Sequence, residues 1–231
     1  MKPASQRPVA RSRMLSTAIH AIGLLLFALS FSQVPKGTNP LRKGFGGPYK
    51  FLTIIALLLS TITFVIGLLA DVLNVKPLFV AKSYMSLCAT PVELLITIFY
   101  WTLYFIDRTK LTPPGHQLPL SHDLGLHAVP TIMLLADLLV LSPPWAINGR
   151  AAFLLDLGIA FSYWGWIEYC FSIVGWYPYP GLTLASPFKK LVMCVVWAAF
   201  LAATTVLLKK LHAKIIAITD TTQIVDSSKT K

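Results

Sequence analysis

The sequence predicts an all-α protein embedded in a membrane, a polytopic bundle of about six transmembrane helices, and three observations carry that prediction. Hydrophobic residues make up 55 % of the 231 and charged residues only 13 %, against roughly 25 % charged in soluble domains. The mean hydropathy is +0.68. The apolar residues gather into long runs, each close to the ~20 residues that a helix needs to cross a bilayer.

The first run, 14–31, follows a basic start that contains Lys2, Arg7, Arg11 and Arg13. That order resembles a signal peptide, but the run is long enough to span. The second, 51–70, carries no charge. The third, 84–106, is interrupted by Glu93, and the fourth, 124–141, by Asp137. The fifth, 151–174, holds Asp156 and Glu168, and the sixth is 191–208. Between them lie "VPKGTNP", "LTPPGHQLP", "SPPWAING" and "YPYPG", all turn chemistry. Residues 1–13 read as a basic tail, 14–210 as the membrane domain, and 211–231 as a polar tail whose Ser/Thr-rich composition suits disorder. No internal repeat points to an inverted-repeat transporter.

The net charge is +11. Its basic residues are spread over tails and loops rather than gathered on one segment, which matches anionic lipid headgroups and argues against nucleic acid as a partner. Of the 20 Lys and Arg, 12 fall on the side that holds both termini and eight on the other. That excess places the termini in the cytosol, in an endoplasmic reticulum or plasma membrane. Cys88, Cys170 and Cys194 all sit in apolar runs, with no disulfide framework and no metal-ligand spacing. No metal or cofactor is expected.

Two polar side chains fall at matching depth in one leaflet. Thr53 lies roughly 4.5 Å below Lys50 and His127 roughly 6 Å below Asp123, at a rise of about 1.5 Å per residue. A hydroxyl needs a base to become a nucleophile, and imidazole is the usual one. Asp123 is one helical turn from His127 and is a candidate to orient it; Glu168, on the fifth run, is another. Other readings stay open at this point. A membrane threonine commonly bonds its own preceding turn, a histidine anchors at the interface, and Asp123 suits a helix N-cap.

Four segments carry a resemblance. "GFGGPYKFLTIIALLLSTITFVIGLLADV" (44–72), "FYWTLYFIDR" (99–108), "LGLHAVPTIMLLAD" (124–137) and "GWYPYPGL" (175–182) together resemble the androgen-induced family of multi-pass membrane threonine hydrolases. The resemblance implies hydrolysis of fatty acid esters of hydroxy fatty acids, without a metal, on a lipid ester that enters from the bilayer. It implies Thr53 as the catalytic threonine and His127 as the catalytic histidine. Pro130 follows the histidine by three residues, closer than in the family's pattern, which bears on the local helix geometry.

Aromatic residues crowd the Thr53 side. Trp101, Tyr104, Trp164 and Trp176 are candidates to line a substrate cleft there, beside an interfacial belt as the plainer account. Lys50 and Lys43 are candidates to attract a substrate carboxylate, beside plain headgroup contact. Two rival functions remain: a transporter or channel that uses the intramembrane acids, and a non-enzymatic membrane scaffold.

Overall fold

The computed structural model describes residues 13–34, 43–111, 119–179, 182 and 185–229, with only the backbone of 219–229. Most of the basic N-terminal tail and much of two predicted loops lie outside the described residues. Among the described residues every regular element is helical. They are α1 (Arg13–Gln33), a 3-10 turn (Gly47–Lys50), α2 (Leu52–Leu73), α3 (Lys76–Ile106), a short turn (Arg108–Lys110), α4 (Leu120–His127), α5 (Val129–Ala136) with a π-helical turn (Asp137–Leu141), α6 (Gly149–Val174) and α7 (Pro187–Lys229). Among the described residues five segments are long and apolar enough to cross a membrane: α1, α2, α3, residues 120–141 and residues 187–218 of α7. The remaining predicted span, α6, has the length, but Asp156, Glu168 and many aromatic residues make it less apolar.

The α2–α3 pair forms the centre of the bundle. On one side, Phe27 of α1 and Val34 just after it pack with Ile54, Leu57 and Phe64 of α2, Leu126 of α4 and Leu134 of α5. On the other, Ala56 of α2 and Val92, Leu95 and Ile96 of α3 pack against Leu201 of α7. With little hydrophobic drive between helices in lipid, close backbone approach carries the packing. Two glycines permit it between α1 and α2. A Cβ on Gly23 would lie 2.3 Å from the Phe64 ring, and one on Gly67 would lie 2.5 Å from His20 Nε2.

Three features depart from the sequence reading. The span at 120–141 is broken: α4 stops at His127, Ala128 is non-helical, and α5 restarts with Pro130 in its first turn. Pro130 has no N–H for the carbonyl of Leu126 and its ring crowds that carbonyl. Asp123 is not the N-cap of α4, since the helix begins at Leu120 behind Pro119 and leaves Asp123 in its first turn. Finally, α7 runs on to Lys229 through the stretch expected to be a disordered tail. After Pro187 it contains neither proline nor glycine to stop it.

Candidate functional site

Thr53 is the second residue of α2. The chain enters that helix through Gly44, Gly46 and Gly47, all at positive φ. At Gly46 a Cβ would come within 2.8 Å of Cys170 Sγ and of Lys50 Cγ, so the fold over Lys50 requires glycine. Phe51 is extended and serves as the N-cap. Three aromatic side chains tie this entry down: Tyr163 Oη donates to the Lys50 carbonyl at 2.8 Å, Trp166 Nε1 to the Tyr49 carbonyl at 2.8 Å, and Tyr179 Oη accepts from Leu52 N at 3.1 Å.

Along α2, Thr53 begins a stripe that continues through Leu57, Ser60, Phe64, Gly67 and Asp71, all buried. The spacing is that of one helix face, so the half-buried Thr53 faces the interior at its mouth. Elsewhere on this helix Thr61 and Thr63 bond the carbonyl four residues back, each at 2.8 Å. Thr53 has no preceding helical turn to bond. Among the described residues neither its hydroxyl nor its N–H has a hydrogen-bond partner.

His127 ends α4 and is 8 % exposed. The break behind it releases its carbonyl from the helix ladder, and α3 takes it up. Thr97 Oγ1 donates to that oxygen at 2.7 Å and Trp101 Nε1 at 3.2 Å. Nδ1 lies 3.1 Å from the backbone carbonyl of Asp123. A carbonyl only accepts, so Nδ1 carries the proton, and in the neutral ring Nε2 is the basic nitrogen. The imidazole lies face to face with the Tyr100 ring, centroids 3.4 Å apart and planes 5° apart.

The sequence expected the Thr53 hydroxyl and the His127 ring to meet. The structure brings their segments together, with Leu126 packed in the same cluster as Ile54 and Leu57, but it makes no hydrogen bond between the two side chains. The ring lies against Tyr100 of α3.

The predicted auxiliary residues sit elsewhere. The Asp123 carboxylate does not orient His127; it accepts from Tyr100 Oη at 2.5 Å and from the Arg108 guanidinium at 3.2 Å. Glu168 is engaged by Lys190 at 2.8 Å, Trp164 Nε1 at 2.8 Å and Tyr177 Oη at 2.7 Å, so its carboxylate serves the α6–α7 pair rather than the imidazole. Lys50 is turned inward and fully buried, with Nζ 2.8 Å from the Lys43 carbonyl and 3.4 Å from the centroid of Trp176. Burial holds its pKa below the usual lysine value. Lys43, exposed, is the cation of this pair that faces outward. The four aromatic residues read as a cleft lining each have a polar partner: Trp101 the His127 carbonyl, Tyr104 the Arg108 guanidinium at 4.7 Å, Trp164 Glu168 and Trp176 Lys50. They brace the site's frame.

Sequence reasoning missed Thr97, Tyr100 and Arg108. The signal was present: positions 97, 100, 101 and 104 recur at helical spacing and place polar and aromatic groups on one face of α3, and Arg108 follows just past its end.

A separate polar cluster closes the opposite end of the bundle. His20 lies between two carboxylates, Nδ1 2.7 Å from Asp71 Oδ2 and Nε2 3.2 Å from Asp137 Oδ1. Lys82 also pairs with Asp137 and bonds Ser142 Oγ at 3.1 Å, and Ser16 Oγ donates to Asp71 at 2.7 Å. Near it opens a pocket lined by Ser16, Lys82, Ser86, Ser142 and Trp145.

Comparison with known proteins follows the same residues. The sequence model of a family described as "FAR-17a/AIG1-like protein" matches residues 15–213. The chain is 28 % identical over 207 residues to UPF0641 membrane protein PJ4664.05 of Schizosaccharomyces pombe, covering 88 % of this chain and 93 % of that one. It is 24 % identical over 139 residues to UPF0641 membrane protein YHR140W of Saccharomyces cerevisiae, covering 53 % and 56 %. No solved structure matches.

Proposed function

Because the chain belongs to the FAR-17a/AIG1-like family, we propose that it is an integral-membrane lipid ester hydrolase with Thr53 as nucleophile and His127 as base. The substrate class is fatty acid esters of hydroxy fatty acids, reached from the bilayer, in an endomembrane or plasma membrane with both chain termini in the cytosol. One observation carries the reading. Of the three α2 threonines, Thr61 and Thr63 bond their own helix, whereas the Thr53 hydroxyl has no partner among the described residues and lies at a helix mouth packed against the segment that ends in an oriented imidazole.

The chemistry follows from these groups. His127 Nε2 takes the Thr53 proton as Oγ1 attacks the ester carbonyl carbon. The unpartnered N–H of Thr53, at the positive end of α2, is aimed to stabilise negative charge on the carbonyl oxygen. The tetrahedral intermediate collapses, its hydroxy fatty acid oxygen takes the proton from the imidazolium, and an acyl-threonine remains. Water, deprotonated by His127, then attacks the acyl carbon and releases the fatty acid with Thr53 restored. The mechanism brings the Thr53 hydroxyl and His127 Nε2 into hydrogen-bond contact as the ester seats, a tightening common in hydrolytic sites.

The rival solute-pathway reading has one observation on its side: Glu93 Oε2 and both carboxylate oxygens of Asp156 are buried without partners among the described residues. The other two intramembrane acids are engaged, Asp137 by Lys82 and His20 and Glu168 by Lys190. Glu93 is bonded by Ser60 between α2 and α3, while Asp156 lies on α6. The deciding experiment is labelling of the purified protein by a fluorophosphonate hydrolase probe. Labelling that disappears in Thr53→Ala supports the hydrolase; an unlabelled wild type refutes it.

A further inference from the structure

We propose that Tyr100 is the positioning residue of His127, taking by ring stacking the part that a carboxylate plays in a serine-type triad; this rests on the hydrolase reading above. In that triad one acid fixes both the tautomer and the orientation of the base. Here the two tasks are divided. The Asp123 backbone carbonyl, 3.1 Å from Nδ1, fixes the tautomer and the rotation of the ring about its stem. The Tyr100 face, 3.4 Å away and within 5° of parallel, fixes the plane. The Asp123 carboxylate then holds Tyr100 rather than the histidine, accepting its hydroxyl at 2.5 Å, and Arg108 holds the carboxylate at 3.2 Å.

The stacking geometry itself points to catalysis. Neutral aromatic rings avoid a face-to-face sandwich, because their quadrupoles repel, and settle offset or edge to face. Most ring pairs in this protein do so, as Phe27 and Phe64 at 66°. A cationic ring removes the repulsion and is attracted by the π face. The donated hydroxyl makes the Tyr100 ring more electron-rich, which strengthens that attraction. His127 becomes an imidazolium only while it holds the Thr53 proton. The stack is therefore strongest in the transition state, the condition for lowering a barrier rather than merely binding. The backbone of His127 is secured separately, by Thr97 and Trp101 on its carbonyl, so loss of the stack frees the ring and leaves the helix end in place.

The test compares Tyr100→Leu, Tyr100→Phe and wild type, purified in detergent, with a lipid ester substrate and the fluorophosphonate probe. Misplacement of a catalytic group by about 1 Å costs on the order of a hundredfold. Tyr100→Leu is expected to lower kcat and the rate of Thr53 labelling by about 10- to 100-fold with KM within about twofold, and Tyr100→Phe, which keeps a π face, to stay within about fivefold of wild type. Histidine-selective NMR supplies a readout independent of activity. The upfield ring-current shift of the His127 protons should persist in Tyr100→Phe and vanish in Tyr100→Leu; should Tyr100→Leu fail to fold, the wild-type and Tyr100→Phe spectra carry the comparison. Labelling of Tyr100→Leu at the wild-type rate, a change in KM alone, or no ring-current shift in wild type would overturn the positioning role while Thr53→Ala still tests the dyad. A wild type that is neither labelled nor active overturns both.

Discussion

At the end of the bundle away from Thr53, four ionisable side chains from α1, α2, α3 and the π-turn are joined into one network. Both nitrogens of His20 face carboxylates, Lys82 joins the second of them, and Ser16 and Ser142 fill further positions. With His20 doubly protonated, two cations balance Asp71 and Asp137. At the Thr53 end the polar groups are arranged differently. Asp123, Tyr100 and Arg108 are mutually engaged, but they end on an imidazole, and the hydroxyl opposite has no partner. A buried charge network that closes on itself holds helices together. A network that leads to an oriented imidazole, with an unbonded hydroxyl on the segment packed against it, is what the proposed hydrolase asks of its site.

The largest effect expected from this contrast is on activity alone. Thr53→Ala should reduce ester hydrolysis to background in a purified assay. Its thermal midpoint in detergent should stay close to wild type, because the lost hydroxyl makes no hydrogen bond among the described residues. A large drop in the midpoint would place Thr53 in the frame rather than in the chemistry.

The opposite end should respond in the reverse sense. Asp137→Ala leaves Lys82 buried without its carboxylate while His20 keeps Asp71, and breaking such a pair from one side costs about 3–5 kcal/mol. The folded fraction should keep its turnover per molecule. Replacing both partners, with Asp137→Leu and Lys82→Met, removes the stranded charge and should recover much of that loss, since apolar replacements of buried pairs are often neutral. Denaturation in detergent measures both; equal losses in the single and double variants would show that the network is not what holds this end.

The helices were legible in the sequence because a membrane span needs only length and apolarity: each of the six predicted runs falls on helical segments, the second starting one residue before its helix and the fourth broken at Ala128. Thr53 and His127 could be placed at one depth because helical rise is fixed. Depth does not specify which face meets which neighbour, so the stack of His127 on Tyr100, 27 residues earlier in the chain, was not readable. Asp123 shows the same gap: its spacing one turn from the histidine makes it a candidate orienting acid or an N-cap, yet its carboxylate turns to Tyr100 and Arg108 and its carbonyl meets Nδ1. His20, Asp71 and Lys82 were passed over because a charge near the end of an apolar run reads as interfacial, and only the packing of four helices shows it buried. Pro130 was seen, but not that the break it causes would deliver the His127 carbonyl to Thr97 and Trp101.

A smaller effect is expected at the close approach of α1 and α2. In Gly67→Ala the new methyl would sit 2.5 Å from His20 Nε2, so α1 must shift or the ring must leave its carboxylates. Overpacking of this kind costs about 1–3 kcal/mol. Stability should fall while turnover of the folded protein holds, since the strain lies at the network end. A fall in turnover at unchanged stability would mean that the two ends are coupled through α2.

The smallest effect is expected at Glu168, and it sharpens the boundary of the site. Its carboxylate is 36 % exposed, and Lys190, Trp164 and Tyr177 share it between α6 and α7. Exposed ion pairs contribute about 0–1 kcal/mol, because water competes for both partners and two long side chains must be ordered. Glu168→Gln keeps the shape and one acceptor oxygen, turns the other into a donor and removes the charge, so it should shift the thermal midpoint slightly and leave kcat unchanged. Lys190→Met should do the same, since it cuts the same pair from the other side. If Glu168→Gln instead lowered kcat and Lys190→Met did not, the charge itself would be acting on His127 during turnover. The α6 helix would then have to move toward α4 when the ester binds, and the distinction between a closed network and an open site would hold for the resting protein only.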